Sequence, residues 1–325
     1  MNKTTAGHWR WILMLFLLIL PACVGVPKPA PMESARHYLP EPGERLLNRF
    51  APALWVEKYQ EDYNRPGAVR AASPSHISVD PDTPVMYAEQ RRFTTAKGNY
   101  TNLLYRVHFK EIPGGYSPYY LGAGKNVGLF VILTLDAKGL PLLLTTVHTC
   151  GCYLAFIPTS FLSPEVRPTG RGTERQTVYG ENLPAELDYA ETPPEQRRIQ
   201  IRLRPDTHRV MDVWLASADT PTQPADSISL QPLDDLKQLP LKNGQTTSFY
   251  EDSGSRAGHV KGSYKPRERL FMSWWTLAWD IGQDKYLGTD TNDGPVFFTS
   301  LQPWARSASD MRDFASFLHY WGWGL

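Results

Sequence analysis

Cysteine is nearly absent from this chain: Cys23, Cys150 and Cys152 are the only three in 325 residues. So few exclude a small disulfide-stapled scaffold, and the Cys-x-x-Cys-His spacing of a haem attachment does not occur. A charge surplus is missing too, with 34 Lys and Arg against 33 Asp and Glu. Nothing therefore draws nucleic acid by counterion release. Gly-x-Ser-x-Gly is absent, so a serine hydrolase has no nucleophile elbow. Gly124-Lys125 is followed by Asn126 instead of Ser or Thr, which rules out a phosphate loop. Asp290-Thr-Asn-Asp-Gly294 is one residue short of a calcium loop and reads as an Asx turn. The longest unbroken apolar run, Trp11–Leu20, has ten residues, half of the roughly 20 that a membrane-spanning helix needs.

Aromatic residues and proline are abundant instead: ten Trp, sixteen Tyr, thirteen Phe and 28 Pro. That mixture suits a β-rich, loop-rich protein better than a helical bundle. Val85–Thr95 and Asn102–Ile112 are expected strands, with Arg106 and His108 on a polar, solvated face of the second. Leu129–Leu135 and Leu142–Cys152 are almost continuously apolar, which predicts a central hairpin covered on both faces. Arg197–Leu203 and Val210–Leu215 form a second hairpin with a basic outer face, and His208 falls in its turn.

Helical spacing is found at three places. Residues 45–59 carry an apolar period broken by Pro52. Pro266 opens a stripe of Phe271, Trp274, Trp275, Ala278 and Ile281, whose expected place is the core. Ser307–Asp310 approximates a capping box ahead of Met311, Phe314, Ala315, Leu318 and Trp321. That last helix either docks in the core or rests its aromatic end at a lipid interface. The expected fold class is α+β: a mostly antiparallel sheet with a few peripheral helices, including an amphipathic C-terminal one.

The N-terminus carries Lys3 and Arg10, then the ten-residue apolar run, then Leu20-Pro21-Ala22-Cys23. A basic start, a short apolar middle and small residues at the cut describe a secretory signal peptide. The last four residues resemble the lipobox of bacterial lipoprotein signal peptides. The resemblance covers only about the first 23 residues. It implies cleavage before Cys23, acylation of that sulfur and anchoring to the lipid bilayer. Val24 in place of Asp implies the outer membrane, with the body facing the periplasm. The expected organisation is a signal peptide over 1–22 and a proline-rich tether over 23–44. A globular domain over 45–325 follows, its two halves meeting near 218–227.

The densest chemistry lies in His148-Thr-Cys150-Gly-Cys152. Extended geometry puts all three side chains on one side of the strand. His148 and Cys152 would then stand roughly 13 Å apart, so one metal ion holds both only if the chain bends at Gly151. Three readings stand. An oxidising compartment favours a Cys150–Cys152 disulfide, short-looped, strained and easily reduced. A Zn²⁺ or Cu(I) site would use His148, Cys150 and Cys152 with a distant ligand such as His108 or His259. Two buried thiols with no chemistry are the third. With no catalytic motif and no required cofactor, the sequence favours a non-enzymatic envelope lipoprotein that binds a partner protein or an apolar ligand. The alternative is a thiol-redox or metal protein acting through those three residues.

Overall fold

The two apolar runs of the expected hairpin, Gly128–Leu135 and Pro141–His148, lie third and second from one edge of a ten-stranded sheet. The structure, a computed structural model, describes residues 34–114, 120–172, 174–190, 192–218, 224–290 and 292–325. The signal peptide, Cys23 and the start of the proline-rich segment lie outside them. Numbered along the chain, the strands of this sheet are β1 (Arg36–Pro40), β2 (Ala53–Val56), β3 (Val85–Thr95), β4 (Gly98–His108), β5 (Gly128–Leu135), β6 (Pro141–His148), β7 (Ala155–Pro158), β8 (Arg197–Leu203), β9 (Val210–Ser217) and β10 (Ala225–Pro232). Their spatial order is β7-β6-β5-β4-β3-β10-β1-β2-β8-β9. Pairing is antiparallel except for β10 with β3, β1 with β10, and β8 with β2.

The expected apolar hairpin is present as β5 and β6, with every residue of both strands buried. Side-chain alternation explains how. Leu129, Val131 and Leu133 enter one core with Leu103, Tyr105 and Val107 of β4. Phe130 and Ile132 enter a second core on the other face, with Leu104, Phe314, Phe317 and Trp323. The C-terminal helix therefore docks in the core: Phe317 is fully buried and Trp323 lies 5.4 Å from Phe156, ring to ring.

The α+β expectation is corrected: strand accounts for 39% and helix for 16%, so the protein is mostly β. Only two helices of seven or more residues occur among the described residues. Each helical period is cut short by a local signal. After α1 (Leu46–Phe50) the chain passes Pro52 and becomes β2. The helix from Pro266, α2 (Pro266–Thr276), stops where Leu277 turns left-handed. The C-terminal helix, α3 (Phe314–Tyr320), starts later than the Ser307 box suggested, because Asp313 is the residue that caps it, accepting the Ser316 N–H at 3.1 Å.

Two organisational expectations change as well. Residues 36–40, placed in the tether, form β1 in the middle of the sheet, pairing Tyr38 with Asp226 and Leu54. The expected boundary at 218–227 runs into β10, which joins the two halves of the sheet. The basic face of β8 is not solvated. Arg202 Nε donates to Glu57 at 2.7 Å and Arg204 Nη2 to Glu181 at 2.6 Å, both pairs buried.

Candidate functional site

The strand β6 ends at His148 because the chain folds back on itself there. Gly151 N–H donates to the His148 carbonyl at 2.8 Å, and His148 N–H donates to the Cys152 carbonyl at 2.9 Å. Gly151 sits at φ +91°, and a Cβ there would collide with the Phe298 carbonyl oxygen, so only glycine fits. A bend at Gly151 is what a metal ion shared by the three residues would have needed. The turn is tied down on both sides: Thr149 N–H donates to Gly128 O at 2.9 Å and Thr149 O accepts from Lys285 N–H at 2.8 Å.

The turn brings the two thiols together. Both are free and interact with each other through a hydrogen bond, and the Cys152 S–H also donates toward Glu268 Oε1 at 3.9 Å. Cys150 is buried and the Cys152 residue is half-buried, so Cys152 is the nearer of the two to the surface. The hydrogen bond between the sulfurs, joined by the Lys265 ammonium, holds the Cys150 thiol below the ordinary range despite its burial. The same hydrogen bond, together with burial, pushes Cys152 well above it. Of the pair, Cys150 is therefore the sulfur better suited to carry negative charge.

Around the sulfurs lies a set of buried charges that the sequence did not single out. Lys265 Nζ stands 3.3 Å from Asp284 Oδ2, both side chains almost fully buried. Burial opposes the Lys265 charge, but Asp284, Cys150 and Glu268 outweigh it and raise the amine well above the ordinary lysine value. Asp284 also accepts from the Thr149 hydroxyl and from Gly128 N–H. Glu268, on the inner face of α2, has Oε1 3.9 Å from Cys152 Sγ. Burial pushes its carboxyl up against the pull of Lys265. Gly282 makes room for it, since a Cβ at that position would overlap the Glu268 carboxylate. Further in, Lys285 Nζ lies 3.4 Å from Asp280 and 4.1 Å above the Phe298 ring.

The histidines of the sequence analysis are all near this region, each already engaged. His148 donates from Nε2 to the His208 carbonyl at 3.2 Å, and burial, with Lys265 and His208 adding, holds it down at about 3. It is neutral at physiological pH. His108, expected on a solvated face, is fully buried: Nδ1 donates to the Val127 and Asn126 carbonyls, and Nε2 accepts from Arg106 Nε at 2.7 Å. The face assignment in β4 was right, but the C-terminal segments cover that face. His259 bridges the Arg256 carbonyl and Asp280. His208 donates to Tyr63 O at 2.9 Å and stacks on Phe109. Among the described residues, no group of three or more His, Cys, Asp or Glu is placed to hold a metal ion. The arrangement is instead that of a dithiol with a cation beside Cys150 and a carboxyl beside Cys152.

The helix α2 carries Glu268 inward and something unexpected outward. Phe271, Trp274 and Trp275, placed in the core by sequence, are exposed, Trp274 by 73%, and so is Leu270. Ala278 and Ile281, past the end of the helix, are the members of that stripe that are buried. The reason is that the helix buries a polar face, Glu268 and Thr276, over the charged cluster, which turns the apolar face to the outside.

No protein-family model and no curated protein matches this chain. Among solved structures, one of NLPPya in complex with mannosamine is similar over 65% of this chain and 82% of that one, at 15% identity and a TM-score of 0.21. A likeness of that size carries no inference about fold or ligand.

Proposed function

We propose that this protein is a dithiol–disulfide exchange protein of the bacterial envelope, working through Cys150 and Cys152. The single observation behind this reading is the hydrogen-bonded sulfur pair held in the Gly151 turn beside Lys265. The lipobox at Leu20–Cys23 supports an oxidising compartment and a lipid-anchored N-terminus. Loss of an acyl label in Cys23→Ser supports that anchor; a label that persists rules it out.

In the oxidised form, a thiolate of a partner protein attacks Sγ of Cys152, the cysteine nearer the surface. The Cys150–Cys152 bond breaks and Cys150 leaves as a thiolate next to the Lys265 ammonium. A low-pKa leaving sulfur accelerates this step. A second thiolate of the partner then attacks the partner's own sulfur in the mixed disulfide. Cys152 is released and takes up a proton from solvent. The partner loses two electrons and two protons and gains a disulfide, while the protein gains the dithiol. Exchange with another disulfide, such as oxidised glutathione, restores the starting state.

Incubating the reduced protein with oxidised glutathione tests the reading. The wild type is expected to pass through an adduct on Cys152 and close its own disulfide. Two glutathione molecules are then released per chain. Cys150→Ser should stop at the adduct, and Cys152→Ser, left with the buried thiol, should react at least about tenfold more slowly. A wild-type adduct that never resolves, or thiols inert in the folded protein, would defeat the proposal.

A further inference from the structure

The outward face of α2 is the largest feature that the thiol chemistry leaves unused. Soluble proteins rarely display a contiguous apolar patch of this kind without a partner. Here Leu270, Phe271, Trp274 and Trp275 are joined by Leu277 and Trp279 just beyond the helix, and all six are exposed. The exposed charge on the helix itself has one sign. Arg269 is exposed and Arg267 and Arg306 are partly so, while the one acid of the helix, Glu268, is turned inward and buried. Arg306 spans the end of the helix, donating to the Leu277 carbonyl at 2.9 Å. No helix among the described residues is long and apolar enough to cross a membrane. A short helix with Trp, Phe and Leu on one face and arginine at its border is the composition of an element that lies in a lipid interface.

We infer that α2 docks on an anionic lipid surface, Trp274 and Trp275 entering the headgroup boundary while Arg269 faces lipid phosphates. The inference is independent of the thiol chemistry and of acylation at Cys23. Indole rings favour that boundary because they pair an apolar body with one N–H donor. In Trp274 the N–H is bound to the Phe271 carbonyl at 3.1 Å, which lets the ring enter an apolar layer without an unmet donor. A lipid surface also accounts for the charge pattern better than a second copy does, since a copy would set the arginines of one face against those of the other.

The test uses the full chain mixed with phosphatidylethanolamine–phosphatidylglycerol vesicles whose acyl chains carry bromine, which quenches nearby tryptophan. Quenching is expected, and Trp274→Phe with Trp275→Phe should remove a distinct part of it while vesicle binding persists. Trp274→Asp with Trp275→Asp should abolish that part together with the contact of this face. Quenching of the wild type should fall roughly fivefold when the anionic lipid is omitted. Equal quenching in the wild type and the Phe variant would show that the signal comes from other tryptophans and overturn the inference. So would a dimer, seen by sedimentation without lipid, that the Asp variant dissociates.

Discussion

Lys265→Met is expected to destabilise the protein by about 3–5 kcal/mol, because it leaves Asp284 buried and charged without its partner. The two groups are 3.3 Å apart with side chains 3% and 1% exposed, so water cannot replace the lost ammonium. The sign of the pH dependence follows from the raised Lys265 pKa. A raised cation contributes stability that is fully present below the ordinary lysine value, about 10.4, and is lost only as pH climbs through the raised one. Chemical denaturation at pH 7 and pH 9 should therefore return the same loss. The substitution also removes one of the two influences that hold Cys150 low. Alkylation of the surviving fold should begin at a higher pH than in the wild type. An unchanged denaturation midpoint would show that Asp284 is not held by Lys265.

The second large effect belongs to Gly151→Ala. Its φ of +91° lies where a side chain is strained, costing on the order of 1–3 kcal/mol by itself. The added Cβ also meets the Phe298 carbonyl oxygen, a backbone atom that cannot rotate away. The turn has to open, the Cys150–Cys152 hydrogen bond with it, and closure of an internal disulfide should slow severalfold. Intact-mass kinetics after addition of oxidised glutathione would show a longer-lived adduct. Closure at the wild-type rate would mean that the turn does not set the sulfur geometry.

How much of this was legible depended on whether the signal was local. The β5–β6 and β8–β9 hairpins could be read because alternation and apolar runs are local properties, and both were found. The strand β1 could not, because Tyr38 pairs with Asp226 from more than half the chain away. Covering elements also reverse the meaning of a polar residue. Arg106 and His108 looked solvated on a strand face that segments from the last third of the chain bury. The same effect inverted α2: its tryptophans fit a core helix by spacing, yet the surface it covers is charged. Cys150 and Cys152 were found because cysteine is scarce, and Gly151 because a shared metal ion would have needed the chain to bend there. Lys265, Glu268 and Asp284 had no such mark. An isolated lysine before a proline and two ordinary acids take on meaning only when the fold brings them to the sulfurs.

The account stands on two sulfurs that trade a covalent bond for a hydrogen bond. Its most direct test is the intact mass of the folded protein carried through a series of glutathione buffers. A reversible loss of two hydrogens is predicted, with a midpoint within the span of known exchange proteins, about −270 to −120 mV. A chain that keeps both thiols at every oxidising ratio, or a bond that survives below about −300 mV, would contradict it.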